Sequence, residues 1–240
     1  KGVNAVNAIP RYFALNADVS PFGIQLALLP FHDPKGFALA AKGFAKSFFD
    51  PSYQANLLTK KAEVIFNHPN LQILASTGIP DITEKWLSKV PVFKNFVRAY
   101  ETAIDAAGIH LAEMSDILVN TGKTGGWWGK VERAWGLQKG WGAESALYRS
   151  SQVDAFINEF RGVISTSRLG MGSTQKQFER IVALAPMYFR ATGAILTDAF
   201  RGNIRGYMAR RALIKGVAGL SALNVAITIG LSENKDNPEK

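Results

Sequence analysis

The chain of 240 residues has no cysteine, which rules out disulfides and thiolate metal sites and fits a reducing compartment. Histidine is scarce too. His32, His68 and His110 are the only three, and none has a second ligand three or four residues away. No local spacing supplies the ordered carboxylate or serine partner that a metal site or a catalytic triad needs. Capping or surface roles are expected of all three. Acidic residues run a deficit, with 19 Asp and Glu against 28 Lys and Arg, leaving a formal charge of +9. The pairs Glu101/Asp105 and Glu113/Asp116 place carboxylates on one helix face, a pattern that ordinarily solvates a surface. Also missing are a regular series of alternating strands and any repeat of fixed period.

Gly122, Lys123 and Thr124 look like the end of a phosphate-binding loop. Ile117 stands where that motif needs glycine, and no buried strand leads in, so the run reads as a turn. No catalytic, cofactor-binding or metal-ligating residue is assigned. Neither a cofactor nor an enzymatic activity is expected of this chain.

What is present is 47% hydrophobic residues, enough for the core of one large or two small domains, and dense helix punctuation. Asp18 or Ser20 followed by Pro21 opens a helix that Pro30 closes. Asp33 and Pro34 open an aromatic helix carrying Phe37, Phe44 and Phe48, stopped at Asp50 and Pro51. Ser52 starts a third, with Ala55, Leu58, Ala62 and Ile65 or Phe66 on one face, ending at His68 and Pro69. Residues 70–79 are apolar and ambiguous. Asp81 with Glu84 three residues on has helix-start chemistry. Val92, Phe93, Phe96, Val97, Tyr100 and Ile104 recur with the period of a long amphipathic helix that reaches Asp105 or beyond. Ser151 opens another, with Val153, Phe156, Ile157, Phe160 and Ile164 inward. A Gly/Ser break over 165–173 precedes Phe178, Ile181, Val182 and Ala185, and Pro186 kinks or restarts the helix. Residues 187–200 and 207–231 read as two more, separated or bent near Gly202 and Gly206.

The expected fold is all-α, an irregular multi-helix bundle with a Gly/Trp-rich loop and a long C-terminal helix. A start at Lys1 and a polar SENKDNPEK end read as a fragment of a larger chain, and residues 1–15 lack the features of a secretion signal. The regions are an N-terminal helical part (1–120), a Gly/Trp/Lys-rich loop (121–143), a basic C-terminal helical part (144–232) and a polar linker to further sequence (233–240).

The loop interleaves Trp127, Trp128, Trp135 and Trp141 with Lys123, Lys130, Arg133 and Lys139. Such a segment stacks bases while its cations meet phosphates, sits at a membrane interface or subunit contact, or packs its indoles into the core. All three readings stay open. Trp127, Trp128, Lys130 and Arg133 are its contact candidates.

Charge is distributed unevenly. Residues 149–215 hold eleven Lys and Arg against four Asp and Glu, whereas 1–148 hold fifteen against twelve. Arg190, Arg201, Arg205, Arg210, Arg211 and Lys215 are candidates for an anionic partner, DNA or lipid headgroup; plain solubility is the other reading. The cations run straight into the uncharged stretch 216–232. As a helix it spans roughly 25 Å, short of a hydrocarbon core of ~30 Å unless 212–214 join it with Lys215 snorkelling. Ser221, Asn224 and Thr228 form a polar stripe suited to an oligomer or channel contact. A buried core helix whose small residues allow close packing is the alternative.

Two segments resemble a family. In 13–51, Asp18, Val19, Ser20 and Gln25 fit a pattern of the type D-hydrophobic-S-x-x-hydrophobic-R-Q, with Ile24 in place of the Arg. In 149–195, Phe156, Ile157 and Asn158 with residues 165–170 resemble I-N-x-x-T-G-R-G-x-L. Leu184, Ala185, Pro186, Met187 and Tyr188 then resemble F-S-P-R-Y, with Met187 in place of the Arg. The Ala/Gly-rich helix over 212–231 follows. The pattern is similar to a helical domain of very large tailed-bacteriophage polyvalent proteins of the internal virion or ejection type. That resemblance implies a structural protein held inside the capsid near the portal that self-assembles and contributes to genome delivery across the host envelope. Its implied partners are copies of itself, portal or core virion proteins, DNA and a membrane. Its implied location is the virion interior, then the host envelope. The alternative is a nucleic-acid-binding module of a large phage protein, indifferent to base sequence.

Overall fold

The computed structural model of the chain describes residues 26, 28–74, 91–124, 126–135, 138, 141–163 and 186–235; the side chains of 93, 126–128, 186–191 and 230–235 stand outside that description. So do the expected helix starts at Asp18 and Asp81, the Gly/Ser break over 165–173, and the family-like residues 18–25, 165–170 and 184–185. The fold is all-α, with nine α-helices and no strand among the described residues. They are α1 (Leu29–His32), α2 (Pro34–Phe49), α3 (Ser52–Lys60), α4 (Ala62–Asn67), α5 (Pro91–Thr121), α6 (Gly126–Ala134), α7 (Ala146–Phe160), α8 (Pro186–Asp198) and α9 (Ile204–Lys235).

Proline sets several boundaries, as expected. Pro34 opens α2, and the chain turns extended at Asp50 before Pro51. Pro30 behaves differently, sitting in the first turn of α1 rather than closing a helix, because a first-turn N–H has no helical partner to lose. The third expected helix is broken at Lys61 into α3 and α4. Ser145, not Ser151, caps α7 by accepting from the Tyr148 N–H. Gly206 lies inside α9, so the break before it falls at 199–203.

The face that α2 buries is its small one. Gly36, Ala40, Gly43 and Ser47 are buried at helical spacing, while Phe37, Phe44 and Phe48 flank the contact half-buried. A Cβ on Gly43 would stand 3.4 Å from the Thr102 side chain, so the two backbones approach closely. The phenylalanines then wrap the flank, with Phe48 and Phe96 ring centroids 4.8 Å apart. Helix α5 is the centre of the molecule. It continues well past Asp105 because Ala106, Ala107, Ile109, Leu111, Ala112, Leu118 and Val119 are buried around it, between α2 and α7. Gly122, at φ 64°, ends it in a left-handed turn. Helix α7 carries Val153, Phe156, Ile157 and Phe160 into the same core and receives α8 and the first half of α9 on its other side.

Candidate functional site

Helix α9 divides into a base held by the body and an arm that is not. In the base, Ile204, Tyr207, Ala209 and Ala212 are buried. At its upper edge the glycines admit α1: a Cβ on Gly216 would come within 2.8 Å of the Leu28 side chain, and one on Gly219 would overlap the Phe31 ring. From 217 to 229 every position but Gly219 is exposed, including Val217, Leu220, Leu223, Val225, Ile227 and Ile229. These apolar side chains point around the whole helix rather than to one face. Within this chain the arm is therefore not the buried core helix that was the alternative expectation. The stretch from Ile204 to Ile229 is long and apolar enough to cross a membrane, and only 11% of its most apolar window is buried. Ser221, Asn224 and Thr228 lie exposed on the arm, the Thr228 hydroxyl donating to the Asn224 carbonyl at 2.9 Å.

Most of the basic candidates sit around the base, engaged with the chain itself. Arg205 forms ion pairs with Glu159 and Asp198, and Arg201 reaches Asp198 Oδ1 at 3.0 Å. Arg210 donates to the carbonyls of Ala199 and Arg201, both at 2.7 Å, satisfying acceptors just beyond the end of α8. Arg211 donates to the Tyr207 hydroxyl at 2.9 Å and Lys215 to the His32 carbonyl at 3.1 Å. Arg190 lies on α8, its side chain outside the described residues. Burial, reinforced by a hydrogen bond with Asp198 and opposed by Arg205, pushes Glu159 up to about 8. Glu159 therefore holds its proton beside Arg205 near neutral pH.

The Gly/Trp-rich segment is not a loop throughout. Residues Gly126–Ala134 form α6 and Trp141–Ala143 a short 3-10 turn. Thr124 and Gln138 fold back on Glu132, whose Oε2 also accepts from Tyr207 at 2.6 Å, tying the segment to α9. Trp141 is buried edge-on against Tyr207, whereas Trp135 is 74% exposed. Lys130 is exposed, and Arg133 donates to the Thr124 carbonyl at 2.7 Å. The side chains of Trp127 and Trp128 are outside the described residues.

Capping or surface roles were expected of the histidines; His68 does stand at the C-cap of α4, but its side chain and that of His110 are core groups rather than surface ones. His68 is buried, with Nδ1 2.5 Å from Asp154 and Nε2 3.3 Å from Asp116. Burial opposes its imidazolium, but the bonds and charges of Asp154 and Asp116 outweigh it and raise the pKa. With both ring nitrogens committed to carboxylates, the group clasps α4 to α5 and α7 rather than acting as a base. His110 lies mid-helix and buried, its Nε2 3.4 Å from Asp33. Asp105, expected to solvate a surface, is fully buried. It accepts from the Leu74 N–H at 2.8 Å and lies 3.6 Å from Arg161. Arg161, also fully buried, donates to the carbonyls of Ile104 at 3.0 Å and Gln72 at 2.9 Å and to Asn158 Oδ1 at 2.9 Å. Its guanidinium occupies the space that a Cβ on Gly108 would need. Among the described residues, no group of three or more His, Asp or Glu side chains is placed to hold a metal.

One cavity, of about 250 Å³, opens at the foot of the arm. Leu111, Met114 and Leu118 of α5 and Met208 of α9 supply apolar wall; Thr124, Tyr207, Arg211, Lys215 and His32 supply the polar groups. Among the described residues, none that lines it is acidic. Burial, then the charges of Lys215 and Arg211, lower His32 to about 4, leaving it neutral at pH 7. Its Nδ1 is buried without a hydrogen-bond partner among the described residues.

Comparison of the chain with protein-family models, curated proteins and solved structures finds no match. The site therefore stands on its own geometry. Of the basic candidates, the structure brings Arg211 and Lys215 together at the cavity, and Arg201, Arg205 and Arg210 at the α8–α9 junction. Sequence reasoning missed His32, Met114 and Met208 as lining residues because the cavity is assembled from α1, α5, α9 and Thr124. Only the cations beside the apolar run signalled it.

Proposed function

We propose that this chain is a structural, non-enzymatic protein that inserts the arm of α9 into a lipid bilayer. We read it as an internal virion or ejection protein of a tailed phage, stored in the capsid near the portal and assembling in the host envelope during genome delivery. One observation carries the membrane part: an uncharged, apolar arm, exposed on all sides, rises from an otherwise well-packed body. Moving Val217, Leu220, Leu223, Val225, Ile227 and Ile229 out of water recovers roughly 1 kcal/mol each, or about 6 kcal/mol together. That is comparable to the whole stability of a small domain, so an arm left exposed to water is a poor resting state.

The polar stripe of Ser221, Asn224 and Thr228 supports association of arms with one another, because small and hydroxyl-bearing positions let helices pair in lipid. The internal engagement of Arg205 and Arg210 at the α8–α9 junction favours this reading over a nucleic-acid module, whose cations must be free to replace counterions.

Vesicle flotation of the full chain tests insertion. The wild type is expected to float with vesicles, and Leu223→Asp/Ile227→Asp, on exposed positions that leave the body intact, is expected to remain in the soluble fraction. Equal behaviour of the two would refute it. Mass spectrometry of phage particles before and after genome release tests the virion role. Presence before and depletion after are expected; absence from particles would overturn it.

A further inference from the structure

The cavity opens where the apolar arm begins, which joins two kinds of surface. Arg211 and Lys215 stand one turn apart on α9, and Val217 is the first fully exposed apolar residue above them. From Lys215, steps of three and four residues lead up the same side of the helix through Ala218, Ala222, Ala226 and Ile229. That side is a shallow uncharged lane on the exposed arm. The stripe of Ser221, Asn224 and Thr228 runs along another side.

We propose that this cavity is a headgroup site for an anionic phospholipid, its phosphate held by Arg211, Lys215 and His32 and an acyl chain lying along the alanine lane. The proposal rests on the membrane reading of α9. Charge favours it: two cations face the cavity, and among the described residues none that lines it is acidic. Among the described residues Arg211 makes one hydrogen bond, to Tyr207, out of five N–H donors, and Lys215 one, to the His32 carbonyl, out of three. His32 lines the cavity as a neutral ring rather than a third charge, and its Nδ1 is buried without a hydrogen-bond partner among the described residues. The cavity volume, about 250 Å³, falls below the ~300–1,000 Å³ of sites that enclose a whole drug-sized ligand. A headgroup fits and its chains stay outside. Leu111, Met114, Leu118 and Met208 give the glycerol and upper acyl carbons an apolar wall.

Vesicle binding by the full chain decides the matter. Vesicles of phosphatidylcholine alone are compared with vesicles carrying one-third phosphatidylglycerol. The wild type is expected to prefer the anionic vesicles by about tenfold or more, as two basic groups at the headgroup level should give. Arg211→Gln/Lys215→Gln is expected to bind phosphatidylcholine as the wild type does and to lose the preference. A preference that survives the double change overturns the headgroup site while leaving insertion standing. Failure of the wild type to bind either vesicle overturns insertion itself.

A second readout does not depend on those variants folding. The chain has no cysteine, so a fluorophore on Met114→Cys reports from the cavity wall alone. Its emission is expected to shift with phosphatidylglycerol vesicles and not with millimolar glycerol phosphate. The reverse result would assign the cavity to a soluble phosphate compound.

Discussion

Replacing Arg161 with methionine puts the centre of the fold under direct test. The guanidinium is wholly buried and joins three pieces of chain: Ile104 on α5, Gln72 in the 71–73 connection and Asn158 on α7. Methionine restores much of the volume but strips donors from two carbonyls and an amide oxygen. At about 1 kcal/mol for each hydrogen bond removed, that is ~3 kcal/mol; Asn158 Oδ1 keeps the Gln72 N–H at 2.9 Å. Asp105, 3.6 Å away and itself buried, would also lose its counterion, bringing the total to the ~3–5 kcal/mol typical of a broken buried pair. The second arm of the experiment is Asp105→Asn, whose amide oxygen can still accept from the Leu74 N–H. In the double variant no uncompensated charge remains, so its loss should be about 2 kcal/mol smaller than the sum of the two single losses. Urea unfolding followed by circular dichroism measures all four corners of the cycle. A loss below about 1 kcal/mol for Arg161→Met, or strict additivity, would refute the assignment of Arg161 as the keystone of this packing.

Glu101 sets a pH dependence. Burial, opposed in part by the Gln54 hydrogen bond and aided by Asp105, pushes its carboxyl up to about 7. A carboxyl raised on folding contributes stability that is complete below its unfolded value and lost as pH rises through the folded one. Glu101→Gln, which imitates the protonated form, should therefore be near neutral at about pH 4 and stabilising by about 1–2 kcal/mol at about pH 8.5; thermal melts showing the same effect at both would contradict this. Gly219→Leu places a side chain where the Phe31 ring lies. It should destabilise by about 1–3 kcal/mol and expose α1 to limited proteolysis, and an unchanged digestion pattern would sink the latch between α1 and α9. Single cysteines at Ser221 or Asn224 should cross-link in vesicles more efficiently than one at Ala222; equal yields would remove the polar stripe as the contact between arms.

How far the sequence could be read depended on the range of the physics. Asp33 with Pro34 and Asp50 with Pro51 bound α2 because capping and proline sterics act within one turn. Which face of α2 is buried could not be read, for a non-local reason. Gly36, Ala40, Gly43 and Ser47 share the period of the phenylalanines, and which stripe turns inward depends on how near α5 can come. The roles of His68 and Asp105 were illegible because their partners are far away in sequence: Asp154 lies 86 residues from His68. Of the candidate site, Arg211, Lys215 and the apolar run above them were visible as composition. The cavity was not, since three other parts of the chain complete it. That the arm stands outside the core could not be read either, because a buried helix and an inserted one have the same apolar sequence.

Helix α9 is unbroken for 32 residues, or about 48 Å at 1.5 Å per residue. It has no interior proline; its base packs on the body, and residues 220–229 stand exposed. A load on the arm would therefore run along a continuous rod, past the Gly216 and Gly219 notch, to the base where Arg205 sits between Glu159 and Asp198.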